Sequence, residues 1–488
     1  MRWTLQQVAQ ALGVPAPAGL DTMARLAGVS IDSRTIRPGE LFVAIHGPRH
    51  DGHAFVAPAL DAGALAAVVA SRRAAEYPQA TRGRLFAVDD TLAALQQLAR
   101  AVRRAWARGN AGRRLAAVTG STGKTTTKEI LAALLAARFR VLKSEGNLNN
   151  EYGLPLALLR LEEDHDAAVV ELAMSHRGEL ARLAEICEPE VGVVTNVAPV
   201  HLEFFSSLDE IALAKRELVE GLAGPEPVAL LNADDLRVAR FADGFRGKIL
   251  TFGLGPGAAF RAEAIEDRSP DGSAFEFISP VERARLELPL PGRHNVTNAL
   301  AALAAASLWG VGAAEAHQVF PGLAPVAMRG EVLRFATGFT VIDDCYNSNP
   351  VALAAMVDLL AAIPGPRRRI LVAGEMLELG EAAAELHRQA GRQAAAGKTD
   401  WIFGVQGHAA HLVEGAVKAG HPEGRVQFFA SAEDAAKFLA EFVVPGDLVL
   451  VKGSRGVKME RVVAALKAKH ALAGAAAEAA TSGQRKRD

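Results

Sequence analysis

Short, continuous apolar runs alternate along most of this chain with longer segments whose apolar residues recur every three to four positions. Continuous runs suit strands covered on both faces, and the longer period suits helices packed on one face. In the first stretch LFVAI (41–45) and AAVVA (66–70) read as strands and AFVAPALDAGA (54–64) as a helix. Residues 89–108 read as an amphipathic helix, with Leu92, Leu95 and Leu98 on one stripe, that breaks at the linker-like GNAGRR (109–114). From 115 to 325 the strands AAVVEL (167–172), VGVVTNV (191–197) and PVALLN (227–232) alternate with helices, which implies a parallel sheet with helices on its faces. The polar, turn-rich stretch 253–291 reads as an antiparallel insert, and an alanine-rich helix, 295–309, closes this part. A second alternating unit starts near Met328, with strands at 339–346, 369–374, 400–405, 425–430 and 447–453. Its style is that of a dinucleotide-binding fold, but no G-x-G-x-x-G follows its first strand, so no dinucleotide is implied. The expected fold class is therefore α/β in three domains: a small N-terminal α/β domain (1–88), a central domain (89–325) and a C-terminal Rossmann-like α/β domain (326–470). The Ala/Gly/Ser-rich tail, 471–488, ends QRKRD and reads as disordered.

Composition narrows the classes. With 50% hydrophobic and 22% charged residues and a net charge of −1, the 488-residue chain is ordinary for a soluble protein and carries no bulk electrostatic case for nucleic acid or an anionic membrane. Two cysteines, Cys187 and Cys345, give no disulfide framework and suit a reducing cytoplasm. MRWTLQQVAQALG at the start lacks the features of a signal peptide, and no apolar stretch nears the ~18 residues of a membrane span. A cytoplasmic protein without membrane insertion and without nucleic-acid partners is expected.

The chemistry concentrates in LAAVTGSTGKTTTKEIL (115–131). An apolar strand runs into a glycine-rich turn and then into a helix that starts at Lys124. Glycines let backbone N–H groups approach phosphate oxygens, and the helix N-terminus adds partial positive charge. Gly120, Ser121, Thr122, Gly123, Lys124, Thr125 and Thr126 would cradle a nucleoside triphosphate, with Lys124 on the β/γ-phosphates and a threonine hydroxyl on Mg²⁺. This marks the central domain as a P-loop-type parallel sheet. The general pattern places a glycine where Val118 stands, so this is the shorter form T-G-x-x-G-K-T-T. Further polar residues fall near strand ends. Glu171 closes AAVVEL, where a carboxylate faces the ligand crevice of an open sheet and can hold Mg²⁺. His201, in TNVAPVHLEFF (195–205), could ligate a metal or contact phosphate, or be solvated. Lys215 in EIALAKRELVEG reads as an exposed helix lysine. His294, Asn295 and Asn298 cluster at a helix start; Asn295 reads as an N-cap, though the cluster could also read a purine. Asp343 and Asp344 lead a run of Asx residues, which a turn also explains. Lys452, Ser454 and Arg455 follow a strand and a glycine turn and could bind a carboxylate.

Together these segments resemble the Mur ligases, the ATP-dependent ligases that build the peptide stem of bacterial peptidoglycan. The resemblance runs from about Val29 to Leu466 and rests on SIDSR (30–34), GELFVAIHG (39–47), DGHAF (51–55), TGSTGKTTTKE (119–129), GNLNNEYGLPL (146–156), GRHNVTNALAA (292–302), DDCYNSNP (343–350), GEMLELGE (374–381) and VKGSRGVKME (451–460). It implies a first domain that binds a UDP-linked substrate, a central ATP domain, and a last domain that closes over the site with the incoming amine. It implies ATP and Mg²⁺ as cofactors, UDP-N-acetylmuramoyl-tripeptide and D-alanyl-D-alanine as substrates, an acyl phosphate on the path between them, and a monomer. Residue by residue, Ser30, Asp32, Ser33 and Arg34 would face the uridine nucleotide, and Asn295 and Asn298 would lie near adenine, with Arg329 and Asp343 on the phosphate and ribose side. Lys124, Glu171, His201 and Lys215 would be catalytic; Thr125 and Glu171 would serve Mg²⁺, His201 a second metal site, and Lys215 would be carbamylated. Two phrases depart from the family: VHLEFFS (200–206) has Phe204 for a glycine, and KRE (215–217) has Arg216 for another. A sister amide ligase, adding diaminopimelate or lysine or extending folate with glutamate, is the alternative; the D-N-P-R motif of the diaminopimelate-adding enzyme is absent. A non-catalytic ATP-binding module would be expected to have lost Lys124, Glu171 or His201, and all three are present.

Overall fold

Residues 3–47, 50–110 and 112–473 are described by a computed structural model. Three sheets organise them. In the first, β1 (Gly28–Ser30), β2 (Glu40–Val43), β3 (Ala66–Ala70) and β4 (Leu85–Val88) run parallel in that order. The stretch 54–64, expected as one helix, is broken: Asp51 accepts a hydrogen bond from His53 N and starts a tight turn, Gly52–Phe55, before the helix Val56–Asp61.

The helix Thr91–Arg108 forms as its sequence predicts. Asp90 caps it by accepting from Leu92 N and Ala93 N, and Leu95, Leu98, Val102 and Trp106 are buried. It joins the first unit to the second. The guanidinium of Arg103, almost wholly enclosed, donates to the carbonyls of Cys187 and Glu188 and pairs with Glu190. A buried cation is tolerated because every one of these contacts is an acceptor.

The second sheet contains β5 (Arg114–Thr119), β6 (Val141–Lys143), β7 (Ala167–Glu171), β8 (Val191–Val194), β9 (Val228–Asn232), β10 (Lys248–Gly253), β11 (Phe260–Asp267), β12 (Ser273–Ile278) and β13 (Arg283–Leu288). Their order is β13-β12-β11-β10-β9-β8-β5-β7-β6. The run from β6 to β11 is parallel, and β11, β12 and β13 form the expected antiparallel insert, which extends this sheet at one edge. β5 is flanked by β7 and β8, so the chain leaves it in one direction and returns on the other side. Such a switch point opens a crevice at the strand's carboxyl end.

The third sheet has the order β14-β15-β19-β16-β17-β18, with β14 (Glu331–Arg334) antiparallel to β15 (Thr340–Asp344) and the rest, β16 (Arg368–Gly374), β17 (Trp401–Val405), β18 (Val426–Phe429) and β19 (Asp447–Lys452), parallel. Its switch point lies between β16 and β19, where GEMLELGE and VKGSRGVKME begin. The start of the proposed tail is ordered, contrary to expectation: Ala471 O accepts from Ala336 N at 2.9 Å, Ala473 N donates to Arg334 O at 2.8 Å, and Leu472 packs on the third core. An apolar side chain within reach of an open edge strand suffices to order those residues. The rest of that tail, 474–488, lies outside the described residues. Both cysteines are buried and free, and among the described residues no helix is long and apolar enough to cross a membrane.

The alanine-rich helix Arg293–Ala306 starts two residues earlier than its pattern suggests and is buried continuously from Asn298 to Ala306. Small side chains let it lie close against the helix Lys124–Ala136. Ala302→Leu should therefore overpack this contact and destabilise the protein by about 1–3 kcal/mol; a urea denaturation midpoint equal to that of the parent would refute the tight fit.

Candidate active site

The strand β5 ends at Thr119 and the chain turns at once. Gly120 has φ +145°, and a Cβ there would lie 1.8 Å from Thr195 Oγ1; Gly123 has φ +80°, and a Cβ there would lie 2.3 Å from Asn298 Oδ1. Val118, where the general pattern has glycine, is an interior residue of β5, registered with Glu171 on one side and Val193 on the other. The shorter loop needs no glycine there because the turn begins later. The segment after β8 holds the loop: Asn196 O accepts from Ser121 N at 2.9 Å, Asn196 Oδ1 from Thr122 N at 3.0 Å, and Thr195 Oγ1 donates to Thr122 O at 2.6 Å. The helix then starts at Lys124, and its first N–H groups have no partner inside the helix.

Behind the loop, Thr125 Oγ1 donates to Glu171 Oε2 at 2.6 Å, and Asn149 Nδ2 donates to Glu171 Oε1 at 2.8 Å. Glu171 is buried, and both its oxygens are oriented. Two hard oxygen donors beside an anion-binding loop fit Mg²⁺, which binds through one or two protein oxygens plus waters and phosphate. Among the described residues no group of three or more His, Cys, Asp or Glu could enclose a metal by itself.

A cavity of about 460 Å³ opens over this loop. Ser121, Thr122, Gly123, Lys124, Thr126, Glu171, His201, Asn295 and Asn298 line it from the middle unit, and Arg329 and Lys452 from the far side. Lys124 Nζ donates to Gly120 O at 2.9 Å and Ser121 O at 3.4 Å. Desolvation lowers its pKa and the Arg329 cation adds to this, against the pull of Glu171. The guanidinium of Arg329 stacks 4.0 Å from the Tyr346 ring centroid. Lys452 Nζ contacts Asp344 Oδ2 at 2.5 Å and donates to Asn347 O at 3.0 Å.

Other expected residues stand elsewhere. Asn295 is not the N-cap; Gly292 is, because the turn at Pro291 starts the helix early, and Asn295 Nδ2 donates back to Pro291 O at 2.8 Å. Asn298 Nδ2 in turn donates to Asn295 Oδ1 at 3.1 Å. Asp343 is buried, its oxygen accepts from Cys345 N at 3.2 Å, and burial raises its pKa; strand alternation turns Asp344 to the cavity in its place. Ser454 is buried under the loop, donating to Ser348 O and accepting from Leu377 N at 2.9 Å, whereas Arg455 is exposed and pairs with Glu460 at 3.3 Å. Ser30 ends β1, Asp32, Ser33 and Arg34 follow it, and none of the four lines this cavity; Asp32 accepts from Arg34, which lowers its carboxyl to about 2.

Lys215 departs most from its plain reading as an exposed lysine. It is 2% exposed on the helix Leu208–Glu220, and burial, then the charge of Lys124, lowers its pKa well below the usual lysine value. Its neighbour Glu217 accepts from Gly178 N at 2.8 Å, and the variant Arg216 turns outward to Asp243 O and Glu220. The other variant, Phe204, lies against His176, with ring centroids 4.6 Å apart. His201 has φ +57°, and its Nδ1 contacts Glu378 of the third unit. That hydrogen bond lowers the Glu378 carboxyl, with burial opposing. Asn149, Thr195, Asn196 and Glu378 are not singled out by sequence, and Asp344 is named there only as the partner of Asp343 in an Asx-rich run. All four sit inside quoted segments, Asn149 in GNLNNEYGLPL, Thr195 and Asn196 at the head of TNVAPVHLEFF and Glu378 in GEMLELGE, and that placement is the available signal.

Three family models match the chain: the catalytic domain of the Mur ligase family over residues 25–103, the Mur ligase middle domain over 118–306, and the Mur ligase glutamate ligase domain over 328–455. The UDP-N-acetylmuramoyl-tripeptide–D-alanyl-D-alanine ligase of Bacillus subtilis (strain 168) is 35% identical over 436 residues, covering 89% of this chain and 92% of that one. A crystal structure of MurF from Acinetobacter baumannii is similar with a TM-score of 0.84 at 31% identity, over 96% of this chain and 99% of that one. MurF ligase from Thermotoga maritima, solved in complex with ADP, is similar with a TM-score of 0.77 at 29% identity, over 91% and 97% of the two chains.

A desolvated amine beside a second cation is costly to keep. Lys215→Met, of similar length and without the amine, should raise the thermal unfolding midpoint by the equivalent of about 1 kcal/mol. A lower midpoint would mean that the amine stabilises the fold.

Proposed function

The chain belongs to the Mur ligase family, and from that premise we propose that it joins D-alanyl-D-alanine to UDP-N-acetylmuramoyl-tripeptide, giving the UDP-N-acetylmuramoyl-pentapeptide precursor of peptidoglycan. It is an ATP-dependent, ADP-forming ligase. The observation that carries the reading is a phosphate loop at one side of a cavity whose other side carries the cations of a second α/β unit. A division of labour follows, with 1–88 for the UDP part, 89–325 for ATP and 326–470 for the dipeptide.

The reaction must bring two anions together, the tripeptide carboxylate and the γ-phosphate. Lys124, Arg329 and Lys452 supply positive charge around the cavity and offset that repulsion. Mg²⁺ held by Thr125 and Glu171 supplies further neutralisation when bound. The carboxylate oxygen attacks the γ-phosphorus and ADP departs, leaving an acyl phosphate. The dipeptide amine, unprotonated, attacks the acyl carbon, and the tetrahedral intermediate expels phosphate as the nitrogen loses a proton. Arg455, exposed beside the third sheet's switch point, suits the dipeptide carboxylate. Lys215, whose burial favours the uncharged amine, is chemically suited to add CO₂ with loss of a proton and become an anionic carbamate, which with His201 could hold a second metal.

Incubation with ATP, Mg²⁺, the UDP-tripeptide and D-Ala-D-Ala should release phosphate only when both peptide substrates are present, with the pentapeptide seen by mass spectrometry. Phosphate release independent of the dipeptide, or equal use of a single amino acid, would overturn the assignment. Lys124→Ala should lower kcat at least about 100-fold with an unchanged circular dichroism spectrum. Arg455→Ala should raise KM for D-Ala-D-Ala about tenfold or more with kcat nearly kept; a loss confined to kcat would remove it from the binding site.

A further inference from the structure

Two loops meet between the second and third units. One follows β8 and carries His201; the other follows β16 and carries Glu378. His201 has φ +57° and Glu378 φ +63°, so both are non-glycine residues in the left-handed region. They face one another: His201 Nδ1 contacts Glu378 Oε2, and Glu203 N donates to Glu378 O at 3.1 Å. Gly380, φ +55°, lets the loops approach, since a Cβ there would lie 3.2 Å from Glu203 Cα. The loop is itself braced from behind. His387 Nδ1 contacts Ala383 O at 2.7 Å, its Nε2 accepts from Met376 N at 2.9 Å, and Leu377 N donates to Ser454 Oγ at 2.9 Å. A carboxylate only accepts, so in the neutral ring the proton of His201 stays on Nδ1 and Nε2 keeps its lone pair. His201 also lines the cavity.

We propose that Glu378 is a positioning residue: docking of the third unit fixes the tautomer and orientation of His201, so that Nε2 is presented as a lone-pair donor to the reaction cavity. Completion of the middle unit's site then depends on a side chain of the unit that carries the amine substrate. Carboxylate–imidazole pairs of this kind orient histidines that bind cations. The inference rests on the ligase reading for its kinetic consequence, but not for its structural one.

The test uses the full chain with its histidines labelled with ¹⁵N, the His201 signals being assigned by their loss in His201→Asn. In the parent, long-range ¹H–¹⁵N spectra without ligands should show the His201 proton on Nδ1. Glu378→Ala should move it to Nε2 or to a mixture and lower kcat about 10–100-fold, with KM for D-Ala-D-Ala nearly unchanged. Glu378→Gln keeps an accepting oxygen, and should retain the Nδ1 proton and most of kcat. Glu378 is 47% exposed on its side chain, so neither change opens a core. A parent tautomer retained in Glu378→Ala, or a Gln variant no better than Ala in both readouts, would overturn the proposal. A parent without ligase turnover would instead fail the ligase reading and leave the tautomer result standing.

Discussion

The site depends on how closely the chain can approach itself at the carboxyl end of β5. Gly120 lies against Thr195 and Gly123 against Asn298, and neither position has room for a Cβ. Because the loop is pinned from both sides, the first turn of the helix Lys124–Ala136 has a fixed direction, and its free N–H groups aim into one cavity. The same fixed turn delivers Thr125 to Glu171, whose other oxygen is held by Asn149. A side chain at either glycine would disturb all of these contacts together, because interiors are close-packed and do not absorb such shifts locally.

Parallel topology explains why the remaining groups gather where they do. Ligands of open α/β sheets bind beyond the carboxyl ends of strands, at the switch point. The second sheet has its switch at β5 and the third between β16 and β19, and residues at or just beyond the carboxyl ends of β5, β7, β8, β15 and β19 share the lining of one cavity. Cations come from both sides of it: Lys124 from the middle unit, Arg329 from the connection ahead of β14, and Lys452 from β19.

The sequence made the strand–loop–helix of 114–136 legible because apolar run, glycines and helix start coincide, and that combination has few other uses. The same holds for the parallel core, since buried strands read as unbroken apolar runs. What it concealed depends on three-dimensional neighbours. Asp343 and Asp344 are indistinguishable until strand register assigns one to the core and the other to the cavity. Lys215 reads as a surface lysine because burial of its helix face depends on packing that the local period shows only weakly. Asn196 and Glu378 act through contacts with residues 74 and 177 positions away, respectively, and such pairings leave no local signature. The start of the Asn295 helix was misplaced because Pro291 and Gly292 set the entry, and Asn295 resembles a cap while bonding to the carbonyl of the preceding turn.

Lys215 and the loop pair His201–Glu378 share a property that connects stability with chemistry. A desolvated amine and two left-handed non-glycine residues each raise the energy of the folded state. None is needed to close a core: Lys215 sits in a helix whose other buried positions are mostly apolar, and the two loops could meet with glycines. Such costs persist where function requires a particular group in a particular place; here His201 lines the cavity, Glu378 contacts it, and Lys215 feels the charge of the cavity residue Lys124. An acyl phosphate is easily lost to water, so its formation is best delayed until the amine is in place. A middle unit whose histidine is oriented by a carboxylate from the third unit meets that requirement through geometry alone.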